Sequence, residues 1–139
     1  MQYVTGMQAL NIPCNLNTSG DWHGCCMDWA HPNLRESVGS FFGDYGIEGP
    51  KKIPEHEELF FVANHIRALL DLLYEQKFID ARGMRNDYIC DEEADREIFS
   101  QIMQMRKLPY WEKINHFMER EYFSRWADFL KEQKNAAGL

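Results

Sequence analysis

Apolar residues recur at intervals of three and four along the middle of the chain, at Leu59, Val62, Ala63, Ile66, Leu69, Leu70 and Leu73. That spacing places them on one face of an α-helix, and the pattern predicts a helix from Pro54 to about Phe78. Pro54 suits a first helical turn, and Glu55, Glu57 and Glu58 put negative charge where the helix dipole favours it. After a loop with Gly83, Asp91 can cap a second helix, with Glu92, Glu93 and Asp95 in its first turns and Ile98, Ile102 and Met105 on its core face. Pro109 ends that helix. A third begins there, with Ile114, Phe117, Met118, Tyr122, Trp126 and Phe129 on one side, and frays beyond Lys134.

The first 52 residues carry no such period. Asn15 to Asp21, Pro32-Asn33 and Gly43-Asp44-Tyr45-Gly46 are turn clusters, and Gly49-Pro50 closes the segment. Between them Tyr3–Leu10, Trp22–Trp29 and Phe41–Ile47 are short apolar stretches that read as strands. Strands followed by helices, rather than alternating with them, predict an α+β fold: a small irregular antiparallel sheet in the N-terminal third, packed on three amphipathic helices. The expected organisation is one domain over residues 1–139, with a loop and strand layer to residue 52, a helical layer over 53–134 and a frayed tail at 135–139.

Composition narrows the function more than the fold. With 15 Lys/Arg against 22 Asp/Glu the net charge is −7, which argues against a large nucleic-acid contact, because neutralising phosphates needs clustered cations. The excess grows along the chain, from three Lys/Arg against five Asp/Glu up to Lys52 to 12 against 17 beyond it. There is no window of about 18 apolar residues, and Met1 to Gly6 lacks the basic-then-apolar layout of a secretion signal, so the expected location is the cytoplasm. Four cysteines, Cys14, Cys25, Cys26 and Cys90, allow two disulfides in principle; a reducing compartment predicts free thiols instead.

The densest polar constellation is Asp21, His23, Cys25, Cys26, Asp28 and His31. His23, Cys25, Cys26 and His31 offer four zinc ligands, but adjacent cysteines point to opposite faces of a strand, and the spacing is not that of a zinc knuckle. Read as nucleophilic chemistry, Cys25 or Cys26 would attack, with His23 or His31 as base and an Asp as orienter. His65 falls at the margin of the first helix's apolar face and reads as a satisfied core histidine, while His56 and His116 read as solvated. Tyr110, Trp111, Phe117, Tyr122, Phe123, Trp126 and Phe129 exceed what one buried stripe needs. Tyr110, Trp111 or Phe123 are thereby left for a partner surface.

Met84-Arg85-Asn86-Asp87-Tyr88-Ile89-Cys90 resembles the Arg-to-His motif of the HEPN ribonucleases, matching it at Arg85 and Asn86. Cys90 stands where that motif has its His, so the resemblance implies at most an inactive relative. Tyr3-Val4-Thr5-Gly6, Ala9 to Cys14, Gly20-Asp21-Trp22-His23, Phe42 to Glu48 and Met84 to Asp87 together are similar to a family of short bacterial proteins of the gut Firmicutes. The resemblance covers most of the chain and implies a place near toxin and antitoxin genes, with no catalytic residue to carry over.

The leading expectation is accordingly a noncatalytic interaction protein, antitoxin-like, whose partner is a toxin encoded by a neighbouring gene, with no cofactor. A second reading is a small enzyme or nucleotide-binding module. It would use Asp21 and His23 with Cys25 and Arg85, and a binding surface of Asp21, Trp22, His23, Asp44, Tyr45, Arg85, Asn86 and Asp87. The third is a structural zinc protein.

Overall fold

The computed structural model describes residues 1–21, 24 and 27–136, and the chain forms two compact units, Met1–Asp91 and Glu92–Leu139. The first holds a four-stranded sheet. Strands β1 (Gln2–Val4), β2 (Leu34–Glu36), β3 (Ile47–Lys52) and β4 (Leu59–Ala63) are ordered β2-β1-β4-β3. β1 runs antiparallel to β2, pairing Tyr3 with Arg35, and β3 runs antiparallel to β4, pairing Ile47 with Ala63. β1 and β4 are parallel, with Tyr3 opposite Phe61. The α+β class holds, but the sheet is mixed rather than antiparallel, and it reaches residue 63 rather than stopping near residue 52.

The boundary between strand and helix is the main correction to the sequence pattern. Leu59–Ala63 is a strand, and the helix, α2, is His65–Tyr74. The apolar run Leu59-Phe60-Phe61-Val62-Ala63 satisfies either element, and pairing on both sides, with β1 and β3, decides for the strand. Asn64 then starts the helix, its side chain accepting a hydrogen bond from the Arg67 N–H at 2.8 Å. Pro54 and the glutamates after it lie in the connection between β3 and β4. Gly49-Pro50 does not end a segment either; it sits inside β3, where the pairing shifts between Glu48 and Lys51.

Tyr3–Leu10 likewise divides into β1 and the short helix α1 (Gly6–Leu10). Gly6 makes the switch at φ 67°, where a Cβ would meet the Asn33 side chain at 2.9 Å. Gln8 of α1 organises the next loop, donating to the carbonyls of Asp28 and His31 and accepting from the Asn33 N–H at 2.7 Å. Of Phe41–Ile47, residues 41–46 form turns, and β3 begins only at Ile47. Of Trp22–Trp29, Trp22, His23, Cys25 and Cys26 lie outside the described residues, and the four that are described are not in a strand.

Ile66, Ala68, Leu69, Leu70 and Leu73 of α2 are fully buried, so this helix is the spine of the first unit. Arg67 is buried with them and spends all five N–H donors. Its Nε donates to Asp71 at 2.9 Å, Nη1 to the carbonyls of Gly43 and Tyr45, both at 2.7 Å, and Nη2 to Tyr3 Oη and Ser40 Oγ. Tyr3 and Thr5 hydroxyls each donate to Asp71 Oδ2 at 2.7 Å. A buried charge is tolerable only when its hydrogen-bonding capacity is met, and this network meets it while tying β1 and the 40–46 turn to α2. Burial, with the Asp71 carboxylate beside it, pushes the Tyr3 phenol well above its ordinary range.

A short helix α3 (Phe78–Ala81) and a π-helical turn at Met84–Ile89 complete the first unit. In the second, a 3₁₀ turn at Glu92–Ala94 leads into α4 (Asp95–Met103), followed by α5 (Trp111–Tyr122) and α6 (Ser124–Ala136). The expected third helix is thus two, broken at Phe123, which is 67% exposed at φ 51°, ψ −126°. Phe99 is the centre of an aromatic core, with edge contacts to Tyr122, Trp126 and Phe129 at 4.8–5.4 Å. Among the described residues, no helix is long and apolar enough to cross a membrane.

Candidate functional site

The N-terminus of α2 gathers side chains and loops from distant parts of the chain. Asn64 hydrogen-bonds through its N–H to the Gly46 carbonyl, Arg67 holds the Gly43 and Tyr45 carbonyls, and His65 faces the loop Ile12–Gly20. That loop is pinned at three points. His65 Nε2 donates to the Ile12 carbonyl at 2.9 Å, Lys51 Nζ donates to the Pro13 carbonyl at 2.8 Å, and the Asn15 N–H donates to Glu48 at 3.1 Å. The irregularity in β3 lets Glu48 and Lys51, three residues apart, turn to the same side, where they bond each other at 2.9 Å. Cys14 sits in the middle of the pinned loop, half-buried and free of any disulfide.

Cys14, Thr18 and His65 form a chain of polar contacts: Cys14 Sγ lies 3.6 Å from Thr18 Oγ1, which lies 2.6 Å from His65 Nδ1. The direction of the bonds follows from valence. The Ile12 carbonyl can only accept, so Nε2 carries a hydrogen and Nδ1 of the neutral ring is an acceptor. Thr18 then donates to Nδ1 and is left to accept the Cys14 thiol hydrogen. Passing that hydrogen to Thr18 while Thr18 passes its own to Nδ1 yields a thiolate and an imidazolium, with every bond reversed in sense and none lost.

The surroundings shift the thiol toward its ionised form. Burial alone raises the Cys14 thiol. Hydrogen bonding with the His65 side chain, with the backbone N–H groups of His65 and Leu16, and with Thr18 outweighs burial and lowers the thiol to about 7 from 9.0. The His65 N–H belongs to the first turn of α2, where the helix dipole also favours a negative charge. For His65, burial works against the charge. Contact with Cys14 and the Ile12 carbonyl overcome that and raise it above its ordinary value.

Gly20 closes the site on the other side. At φ 65° its N–H donates to the Tyr88 carbonyl at 2.7 Å, and a Cβ there would lie 2.5 Å from His65 Cε1 and 2.7 Å from the Leu10 carbonyl. With Ser19 donating to the Ile89 carbonyl at 3.3 Å, this makes the turn before Asp21 and the segment after Met84 neighbours through their backbones.

The sequence-selected residues divide accordingly. Asp21 is exposed at the end of the pinned loop, at φ 60°, and Arg85 is half-buried, with Asn86 and Asp87 exposed, on the π-helical turn. Asp44 and Tyr45 lie on the turn clamped by Arg67. Trp22, His23, Cys25 and Cys26 lie outside the described residues. His31 is exposed and bonds Asp28 at 2.8 Å. Among the described residues, no group of three or more His, Cys, Asp or Glu converges as a metal shell.

Cys90, at the position of the HEPN histidine, is exposed and donates its thiol to the Asn86 carbonyl at 3.0 Å. His56, expected on a helix and solvated, is neither: it hydrogen-bonds the Trp29 carbonyl at 2.7 Å and packs edge-on to Phe60. His65 is the buried, satisfied histidine that the pattern implied, and its Nδ1 also meets the Thr18 hydroxyl that contacts the Cys14 thiol. Cys14 was missed as chemistry because its partners are four and 51 residues away. The available signal was Pro13-Cys14 followed by Thr18 in a turn-rich loop. Comparison with protein-family models, with curated proteins and with solved structures finds no match for this chain.

Proposed function

We propose that this is a thiol-dependent protein in which Cys14 is the nucleophile, Thr18 the relay and His65 the group that takes and returns the proton. The observation that carries the reading is the continuous contact from Cys14 through Thr18 to His65 Nδ1, with the far ring nitrogen held by the Ile12 carbonyl. A thiolate is the reactive form of cysteine, and an adjacent base of fixed tautomer generates it near neutral pH. The reading belongs with a reducing, cytoplasmic setting, in which a free half-buried thiol persists.

Alkylation by iodoacetamide, followed at each cysteine by peptide mass spectrometry across pH, tests it. Cys14 should react with a midpoint near 7 and faster than exposed Cys90 at pH 7, and H65Q should move the midpoint upward. A Cys14 that reacts only above about pH 8.5, like an unperturbed thiol, overturns the reading.

A second reading, an interaction module that acts as an antitoxin-like partner, rests on a different surface. Val38 is 77% exposed, and Phe41 and Tyr74, each 39% exposed, pack ring against ring at 5.2 Å. Exposed apolar clusters of this kind mark protein contacts. Co-expression with the product of the neighbouring gene should give a stable complex that F41D weakens; a complex insensitive to F41D, or none at all, removes this surface from the account.

A further inference from the structure

We propose that the reagent for which the Cys14 site is built is a hydroperoxide, and that Cys14 is converted by it to a sulfenic acid held by Thr18 and the first turn of α2. This rests on the reading of Cys14 as nucleophile and adds the identity of its electrophile.

The sulfur is half-buried in a loop pinned at Ile12, Pro13 and Asn15, so a small reagent reaches it more readily than a bulky one. Reaction with a peroxide places two demands on the surroundings: a hydroxyl must orient the reagent at the sulfur, and a proton must reach the departing alkoxide. Thr18 Oγ1, 3.6 Å from the sulfur, is both donor and acceptor and meets the first. His65, 2.6 Å behind Thr18, stores the proton removed from the thiol and meets the second.

The step balances. The Cys14 thiolate attacks the terminal oxygen of ROOH, the S–O bond forms and the O–O bond breaks. The RO⁻ that leaves takes the proton from the His65 imidazolium through Thr18. The sum is Cys14–SH plus ROOH giving Cys14–SOH plus ROH, with sulfur losing two electrons and the peroxide gaining them. The product is polar at an atom already surrounded by donors, the N–H groups of Leu16 and His65 and the Thr18 hydroxyl. These donors favour the sulfenate over the bare sulfur of a thiol in apolar surroundings.

The test uses the whole chain, reduced and freed of reductant, with hydrogen peroxide and separately tert-butyl hydroperoxide, trapping sulfenic acid with dimedone and reading each cysteine by peptide mass spectrometry. Cys14 should be trapped at least tenfold faster than Cys90 at pH 7. T18V should slow that reaction by a similar factor, and T18S should restore it. Iodoacetamide reactivity measured in parallel separates the two claims. A Cys14 that alkylates with a midpoint near 7 yet meets peroxide no faster than Cys90 overturns the hydroperoxide assignment and leaves the nucleophile standing. A Cys14 that also alkylates like an ordinary thiol overturns both. A T18V protein with undiminished peroxide reactivity excludes Thr18 from the step.

Discussion

The Thr18 hydroxyl and the Nδ1 of His65 lie 2.6 Å apart although 47 residues separate them, and this contact turns a buried core histidine into the neighbour of a thiol. His65 is 2% exposed, so its ring is committed to the site and not to solvent. Its orientation is fixed from behind by the Ile12 carbonyl and at the ring edge by Gly20.

Gly20→Ala tests how tightly that ring is enclosed. The added methyl group would overlap His65 Cε1 and the Leu10 carbonyl, and the positive φ is strained for any residue with a Cβ. The expected cost is about 1–3 kcal/mol in urea denaturation. Slower Cys14 alkylation at pH 7 should accompany it; an unchanged rate would mean that His65 is free to move without effect on the thiol.

The stability of the protein should depend on pH through Cys14. Its thiol titrates near 7 when folded and at an ordinary 9.0 when unfolded, so the folded state gains stability as pH rises from about 7 toward 9 and has none of this gain below. Thermal melts of C14S, which keeps the hydrogen-bonding geometry but does not ionise, should therefore fall further below the parent at pH 8.5 than at pH 6. His65 acts in the opposite sense: its raised value means that its contribution is complete below about pH 6.5 and fades as pH climbs through the folded value.

Arg67→Met should be among the most damaging single changes in the first unit. It leaves the Asp71 carboxylate buried without its cation and releases the Gly43 and Tyr45 carbonyls, at an expected cost of about 3–5 kcal/mol. R67K should recover little, because an ammonium cannot reproduce five donors in a planar fork. Pairing R67M with D71N removes the orphaned charge, and a double variant more stable than R67M alone is the result that chemical denaturation should give.

Phe123→Gly should stabilise the second unit. The ring is 67% exposed, so its removal forfeits little burial, whereas φ 51°, ψ −126° is a conformation that glycine adopts without a Cβ clash. The expected gain is about 1 kcal/mol, or a few degrees in the melting temperature. A lower melting temperature would show that the ring contributes packing that outweighs the strain.

Much of the fold was legible where the residues themselves carry a period. Ile66, Leu69, Leu70 and Leu73 place α2, and Ile98 and Ile102 place α4, because helical spacing is local and needs no partner. The α+β class followed from the change of character along the chain. The strand at Leu59–Ala63 was not legible, since five consecutive apolar residues fit a helix or a strand equally until neighbouring strands supply hydrogen bonds. The break at Phe123 was hidden for a related reason: the aromatic pattern runs through it, and nothing in Phe itself announces a positive φ.

The site divides the same way. The chain by itself determined that reactive side chains concentrate in its first third, that His65 belongs on the margin of a buried face, and that the turn formers around Asn15 and Gly20 make a loop. Only the tertiary structure decided that Cys14 meets the Thr18–His65 pair. That choice depends on the path by which β3 presents Glu48 and Lys51 to the loop and on where Asn64 starts α2. Contacts between residues 14 and 65 obey no local period; they arise when separately specified elements pack, and only the packed core brings the thiol to the first turn of the helix.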